Sequence, residues 1–400
     1  MRNLFERILQ TVVVLAMAVA VVCGTVGCSK KGSSPDNPVP SHEGEYTPST
    51  IPVGFTAHAD WTDLSKSTKG GTTESHSSTT AADPSITEFY PEDEIALFGY
   101  YLTNSATVAT TAPNFMYNQS VVCDEVKYND DGDIIGSTWS YSPVKYWPNN
   151  EQDKISFYAL FPHPTYYNSF INDDFKLVLS PNTQLGPPQL TYKMPTTVSA
   201  GKVDFLYAQT LDQTKPSAGE TTVLEFMHLL GKIQFFVSVL PPDGSSLSLN
   251  DGNYSAYIKC ISYNVNVEGT FKYTFVSGGY PEWEVVKDNI REFSLPYTPL
   301  SSGVQFSKGK VDDNTVGQYG HNFTAFLLPV TITQLNVKYS TDGVEFKDVP
   351  ISNQNISVEA GKVTTVRLVI KPDEVQPITV SAVTEPWKEV VISPEIIVTP

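Results

Sequence analysis

Short runs of alternating apolar and polar residues, punctuated by Gly, Pro, Asn and Asp, recur along most of this chain. Ile51 to Trp61 puts Val53, Phe55, Ala57 and Ala59 on one face of a predicted strand. Lys154 to Phe161 does the same with Ile155, Phe157, Ala159 and Phe161. Ile95 to Leu102, Phe175 to Leu179 and Val203 to Ala208 are further predicted strands. Asp124 to Tyr128 and Ile134 to Tyr141 flank Asn129-Asp130-Asp131-Gly132-Asp133, a hairpin signal. Residues 212–221 (DQTKPSAGET) read as a junction between two β-rich halves. Beyond it, Val223 to Val239 holds one or two strands with a break at Gly231. A hairpin is expected from Tyr257 to Val267 and Thr270 to Val276, turning at Glu268-Gly269. Phe323 to Leu328 follows, then Gln334 to Tyr339 and Val344 to Val349, joined at Asp342-Gly343. Lys362 to Ile370 is strongly β-branched. No amphipathic helix of useful length is present.

The ends depart from this pattern. Arg2 and Arg7 precede an apolar stretch from Val12 to Cys23 and then Thr25-Val26-Gly27-Cys28. A basic head, an apolar core too short for a stable span and small residues form a secretory leader. With its cysteine, the leader resembles a bacterial lipobox, in which Cys28 would be lipidated. Residues 29–48 are polar and Pro/Gly-rich, the composition of a tether. From Ser65 to Ser85 more than half the residues are Ser or Thr, which predicts a long exposed loop open to proteases; its cations are Lys66 and Lys69. At the other end, Pro377 to Ala382 and Val390 to Val398 are apolar runs separated by Glu385-Pro386-Trp387. Such a tail either pairs within its own sheet or is meant for another subunit. The expected layout is thus a signal peptide over 1–27, a tether over 28–48, β-sandwich domains over 49–219 and 220–376, and an arm over 377–400.

Composition agrees with an all-β fold. The 400 residues include 21 Tyr and 20 Phe against 5 Met, with 29 Pro and 25 Gly to shorten elements. The formal charge is −17, and it stays strongly negative without the leader. Such a surface repels nucleic acid and anionic headgroups. Outside the leader and lipobox the cysteines are Cys123 and Cys260, which either pair in an oxidising compartment or stay as two buried thiols.

Candidate chemistry is sparse. None of His42, His58, His76, His163, His228 and His321 stands at metal-ligand spacing from another His or Cys. There is no nucleophile elbow, phosphate loop or dinucleotide fingerprint. Asn129 to Asp133 lacks the glycine position and final Glu of a calcium loop. No catalytic residue, metal or cofactor is expected. Trp139, Tyr141, Tyr146 and Trp147 form either a sugar-binding platform or core packing. A surface glycan-binding lipoprotein is therefore the alternative function, and no pair of carboxylates stands out for a glycosidase.

Five segments, in order, carry a family resemblance. They are Glu92-Asp93-Glu94-Ile95-Ala96-Leu97-Phe98 after an early strand and polar loop; Tyr146-Trp147-Pro148 leading to Ile155–Pro162; and Asp204-Phe205-Leu206-Tyr207-Ala208. Phe226-Met227-His228-Leu229-Leu230-Gly231-Lys232-Ile233 comes next, then Val358-Glu359-Ala360-Gly361-Lys362 with Trp387 in the tail. Together they resemble the fimbrillin superfamily of Bacteroidales, the lipoprotein precursors of type V pilus subunits. The resemblance implies two transthyretin-like β-sandwich domains and a C-terminal donor-strand arm. It implies an outer-membrane lipoprotein precursor whose first strand is cut away, so that a neighbour's arm fills the groove of a surface fimbria. The arginines beyond the leader are Arg291 and Arg367, so Lys66 or Lys69 would carry the cut. Val380, Ala382, Val390, Ile392 and Ile397 would fill donor pockets. The implied partners are other fimbrial subunits, alike or different, the outer membrane through lipid in the precursor, and host or bacterial surface ligands. The expected role is a shaft protomer, with tip and anchor subunits as variants.

Overall fold

The computed structural model describes residues 46–59, 89–103, 106–128, 130, 134–167, 175–195, 204–239, 255–275, 281–295, 304–307, 323–371 and 377–386. Apart from two short 3-10 turns, every regular element among them is a strand, so the protein is all-β. None of its described helices is long and apolar enough to cross a membrane.

In chain order the strands are β1 (Pro48–Pro52), β2 (Phe55–Ala59), β3 (Glu94–Leu102), β4 (Met116–Tyr128), β5 (Ile134–Ser140), β6 (Tyr146–Pro148), β7 (Lys154–Phe161) and β8 (Lys176–Leu179). Next come β9 (Leu190–Lys193), β10 (Leu206–Gln213), β11 (Thr222–His228), β12 (Gly231–Val239), β13 (Ser255–Asn266), β14 (Glu268–Phe275), β15 (Pro281–Val285) and β16 (Ile290–Leu295). The last are β17 (Val304–Ser307), β18 (Thr324–Leu327), β19 (Val330–Ile332), β20 (Leu335–Ser340), β21 (Lys347–Ile351), β22 (Ile356–Val358), β23 (Lys362–Ile370) and β24 (Ile378–Pro386). The single early strand expected from Ile51 to Trp61 is two, because Pro52 and Gly54 interrupt it.

Seven strands form one sheet in the order β2-β11-β10-β7-β3-β4-β5. Its central members β3 and β7 are buried on both faces, which explains why Glu94–Leu102 and Lys154–Phe161 are almost continuously apolar. One face encloses a core containing Leu97, Phe157, Phe161, Leu224, Phe226, Trp139 and Trp147. The other face packs on a four-stranded sheet, β15-β14-β9-β8. There Tyr158 meets Tyr273 edge-on at 5.3 Å, and Tyr207 meets Phe271 at 5.3 Å. The Tyr273 hydroxyl donates to the Ala159 carbonyl at 3.3 Å. This core continues into the second half, where β18-β12-β23-β24 and β16-β13-β20-β21 enclose Ile233, Phe235, Ile261, Val337, Val366 and Leu368.

Two expectations are corrected by the pairing. The segment 212–221 joins two neighbouring strands of one sheet, since β11 pairs antiparallel with β10. A boundary at 219/220 therefore divides the seven-stranded sheet, and the chain leaves that sheet for the last time at Leu229-Leu230-Gly231. The hairpin at Glu268-Gly269 does not form either. β13 pairs with β16, β17 and β20, whereas β14 pairs with β9 and β15. The chain changes sheets at Val267, whose carbonyl accepts the Met194 N–H at 2.6 Å. The β4–β5 and β20–β21 hairpins form as expected.

Candidate assembly site

The segment 51–59 alternates apolar and polar residues around Gly54, and its two strands join different sheets. β1 pairs with β6, and the Val53 N–H then donates to the Lys145 carbonyl at 2.9 Å. β2 lies parallel to β11, from Thr222 opposite Phe55 to Phe226 opposite Ala59. Val53, Phe55 and Ala57 point into the core and are at most 3% exposed. Phe55 stands edge-on to Phe157 at 5.1 Å. Phe89 lines the same core, with ring contacts to Phe161, Phe226 and Trp139 between 5.1 and 5.3 Å. Burying a Val or Phe side chain stabilises by about 2 kcal/mol. This segment thus fills a slot in the sandwich that would otherwise expose apolar surface.

The opposite edge of the segment meets side chains of β5 and its following turn. Ser137 Oγ donates to the Ala57 carbonyl at 3.1 Å and accepts the Ala57 N–H at 3.2 Å. Trp139 Nε1 donates to the same Ser137 oxygen at 2.7 Å. The Tyr141 hydroxyl donates to the Val53 carbonyl at 2.8 Å and accepts the Lys145 N–H at 3.3 Å. Burial pushes the Tyr141 phenol up to about 12, so it keeps its proton at neutral pH.

At the other end of the chain, β24 pairs antiparallel with β23 without interruption, from Lys362 opposite Pro386 to Ile370 opposite Ile378. Val380 lies opposite Leu368 and Ala382 opposite Val366, so both belong to the chain's own sheet. Donation by either would first require β24 to leave β23. Ile378 is buried, Val380 half-buried and Ala382 exposed, while Val383 on the other face is 55% exposed. Thr384 Oγ1 ties the strand to the Ser357 carbonyl at 2.9 Å. Val390, Ile392 and Ile397 lie outside the described residues, as do Cys28, Lys66 and Lys69.

Of the two readings of the aromatics, core packing holds for Trp139 and Trp147. Trp147 is 1% and Trp139 8% exposed, and both belong to the core that β2 plugs. Tyr141 is half-buried against Phe55, which leaves Tyr146 as the exposed member of the four. Cys123 and Cys260 are both free thiols. Burial, with a smaller contribution from the Asp93 charge, pushes the Cys123 thiol up to about 12, the opposite of nucleophile activation. His228 Nδ1 lies 2.9 Å from Asp204 Oδ2 beneath the crossover between halves. His163 is held below its ordinary value by burial, which outweighs the opposing pull of Glu94. Among the described residues no group of three or more His, Cys, Asp or Glu could hold a metal ion. What sequence reasoning missed is the role of Ser137 and Tyr141. Their signal was only an i, i+4 spacing of hydroxyls on one strand face.

The fold is an all-β sandwich whose segment 53–57 fills a slot in the core, and the family follows from comparison. Residues 79–387 match the Fimbrillin-like family model, and the chain belongs to that family. Its fold is similar to that of a fimbrial protein from Bacteroides vulgatus, at 18% identity and a TM-score of 0.47, covering 84% of this chain and 99% of that one. A protein from Bacteroides uniformis assigned to cell adhesion gives 14% and 0.46, covering 86% and 100%. The C-terminally truncated tip fimbrial protein Mfa3 from Porphyromonas gingivalis gives 9% and 0.35, covering 84% and 100%. No curated protein matches the chain.

Proposed function

We propose that this chain is a structural, non-enzymatic subunit of a cell-surface fimbria that polymerises by donor-strand exchange. Proteolysis in the loop at Lys66 or Lys69 releases the first strand, and an apolar strand from a neighbouring subunit refills the slot. The observation that carries this reading is the segment 53–57. Its alternate side chains fill the core of the sandwich, yet β11 supplies its only main-chain ladder among the described residues. An extended donor would reuse that ladder for affinity and the three inward positions for register. Head-to-tail contact of this kind does not close, so it builds a filament. The precursor reaches the outer membrane as a lipoprotein through Cys28, and the matured subunit resides in the fimbria. The arm beyond Pro386, with Val390, Ile392 and Ile397, is the donor.

A second reading, a tip subunit, is favoured by one observation: β24 is zipped to β23 along its whole length. A subunit with nothing to donate keeps its tail to itself.

The test is the N-terminus of protein recovered from the native cell surface, by intact mass and N-terminal peptide sequencing. Strand exchange expects a start between Ser67 and Ser85, and replacing Lys66 and Lys69 with Ala should trap the lipidated precursor. An acylated Cys28 on every recovered molecule would overturn the exchange mechanism.

A further inference from the structure

Two different walls hold the strand in the slot. On the β11 side the contact is a main-chain ladder. On the β5 side it is a pair of side-chain hydroxyls, joined by one contact from the strand's own side chain, in which Thr56 Oγ1 donates to the Ser137 carbonyl at 3.0 Å. Ser137, Trp139 and Tyr141 alternate along the chain, and all three contact the slot or its core. A hydroxyl offers one proton and two lone pairs. The proton of Ser137 goes to the Ala57 carbonyl and its lone pairs to the Ala57 N–H and the Trp139 indole, so its capacity is fully used. Trp139 thereby fixes the direction in which the hydroxyl points. Tyr141 serves Val53, four residues before Ala57, as Ser137 lies four residues before Tyr141. The two hydroxyls therefore follow the strand antiparallel and meet two residues four apart on one edge, Ala57 and Val53. Every group they bind on the strand is main chain.

We propose that Ser137 and Tyr141 are positioning residues that clamp whichever strand lies in the slot, independently of its side chains, and that they set how fast it leaves. This rests on the reading of the slot as one that changes occupants. Three features support it. The hydroxyls address only groups that any extended strand presents. Both are anchored from behind, by the Trp139 indole and the Lys145 N–H. Selectivity among strands then falls to the inward positions, where Val53, Phe55 and Ala57 present medium, large and small side chains in turn. The partner that fits is an extended segment with that order of inward sizes, lying parallel to β11.

Hydrogen exchange followed by mass spectrometry on the full chain tests this, comparing wild type with Ser137→Ala and Tyr141→Phe. Each variant should accelerate exchange in residues 53–59 by about tenfold, the scale of one or two net hydrogen bonds. Exchange in residues 362–370 of β23 should not change. Tyr141→Phe removes a single oxygen and keeps the ring against Phe55, so it guards against loss of folding in the serine variant. Unchanged exchange in 53–59 for both variants would overturn the clamp. So would equal acceleration in 53–59 and 362–370, which would mark general loosening. Failure of the wild-type protein to polymerise would sink the strand-exchange reading, whereas the clamp stands or falls on exchange in 53–59.

Discussion

Gly231 leaves no room for a methyl group. A Cβ there would stand 2.6 Å from the Glu359 carbonyl oxygen and 2.7 Å from Val358 Cγ1. The neighbouring main chain is equally committed. The Leu229 N–H donates to Phe205, the Leu229 carbonyl accepts the Trp283 indole, and the Leu230 carbonyl accepts the Gly361 N–H. Gly361 adopts a φ of 68°, the left-handed region that favours glycine. The Phe226–Ile233 and Val358–Lys362 segments, read in the sequence as family features, are therefore two sides of one lock between the halves. Gly231→Ala should cost about 2 kcal/mol, the scale of overpacking against an atom that cannot yield. Urea unfolding measures it, and a midpoint equal to wild type would show that the crossover can shift. Trp139 illustrates the opposite case. Its place among Tyr141, Tyr146 and Trp147 allowed either a ligand platform or core packing, and its indole works inward on Ser137.

Among elements, β24 separates two roles that the tail combines in sequence. Removing residues 387–400 keeps all of β24, so stability should stay within about 0.5 kcal/mol of wild type. Removing 377–400 also strips Ile378 and Val380 from the core and bares the edge of β23, at a cost of about 3 kcal/mol. Thermal melting of both truncations separates them, and equal melting would mean that β24 contributes nothing to the fold. On the donor reading neither truncation polymerises, and filaments from the 387–400 deletion would move the donor elsewhere. The strand β2 is the counterpart at the other end. Phe55 and Ala57 are buried in the core, but the parallel pairing of β2 with β11 joins segments far apart in the chain. Local alternation shows that such a strand has a buried face and is silent on whose core it enters.

At the scale of the whole molecule, the tyrosine content becomes a liability at high pH. Burial pushes the Tyr141 and Tyr158 phenols up to about 12 and raises Tyr100, Tyr192, Tyr207, Tyr263 and Tyr273 as well. In the unfolded chain a tyrosine loses its proton near pH 10. Between that pH and the folded values the unfolded state has released protons that the folded state retains, so stability falls as pH rises. Below about pH 10 these groups leave stability unchanged. Melting temperature followed from pH 9 to 12.5, together with phenolate absorbance, should show ionisation and unfolding arriving together. Titration of all tyrosines near pH 10 with the fold intact would contradict this. What the amino-acid sequence determined by itself was the all-β class, most strand positions, two hairpins and the family pattern. These follow from side-chain alternation and turn chemistry, which are local. What only the tertiary structure decided was which strands pair. The sheet shared by β8, β9, β14 and β15, the packing of Gly231 on Glu359 and the hydroxyls at the β2 slot all join residues distant in sequence, whereas the pairing of β24 with the preceding β23 is local but was one of two outcomes the tail's pattern allowed. One-dimensional periodicity records that a face is buried, and the identity of what buries it arises only when the chain closes on itself.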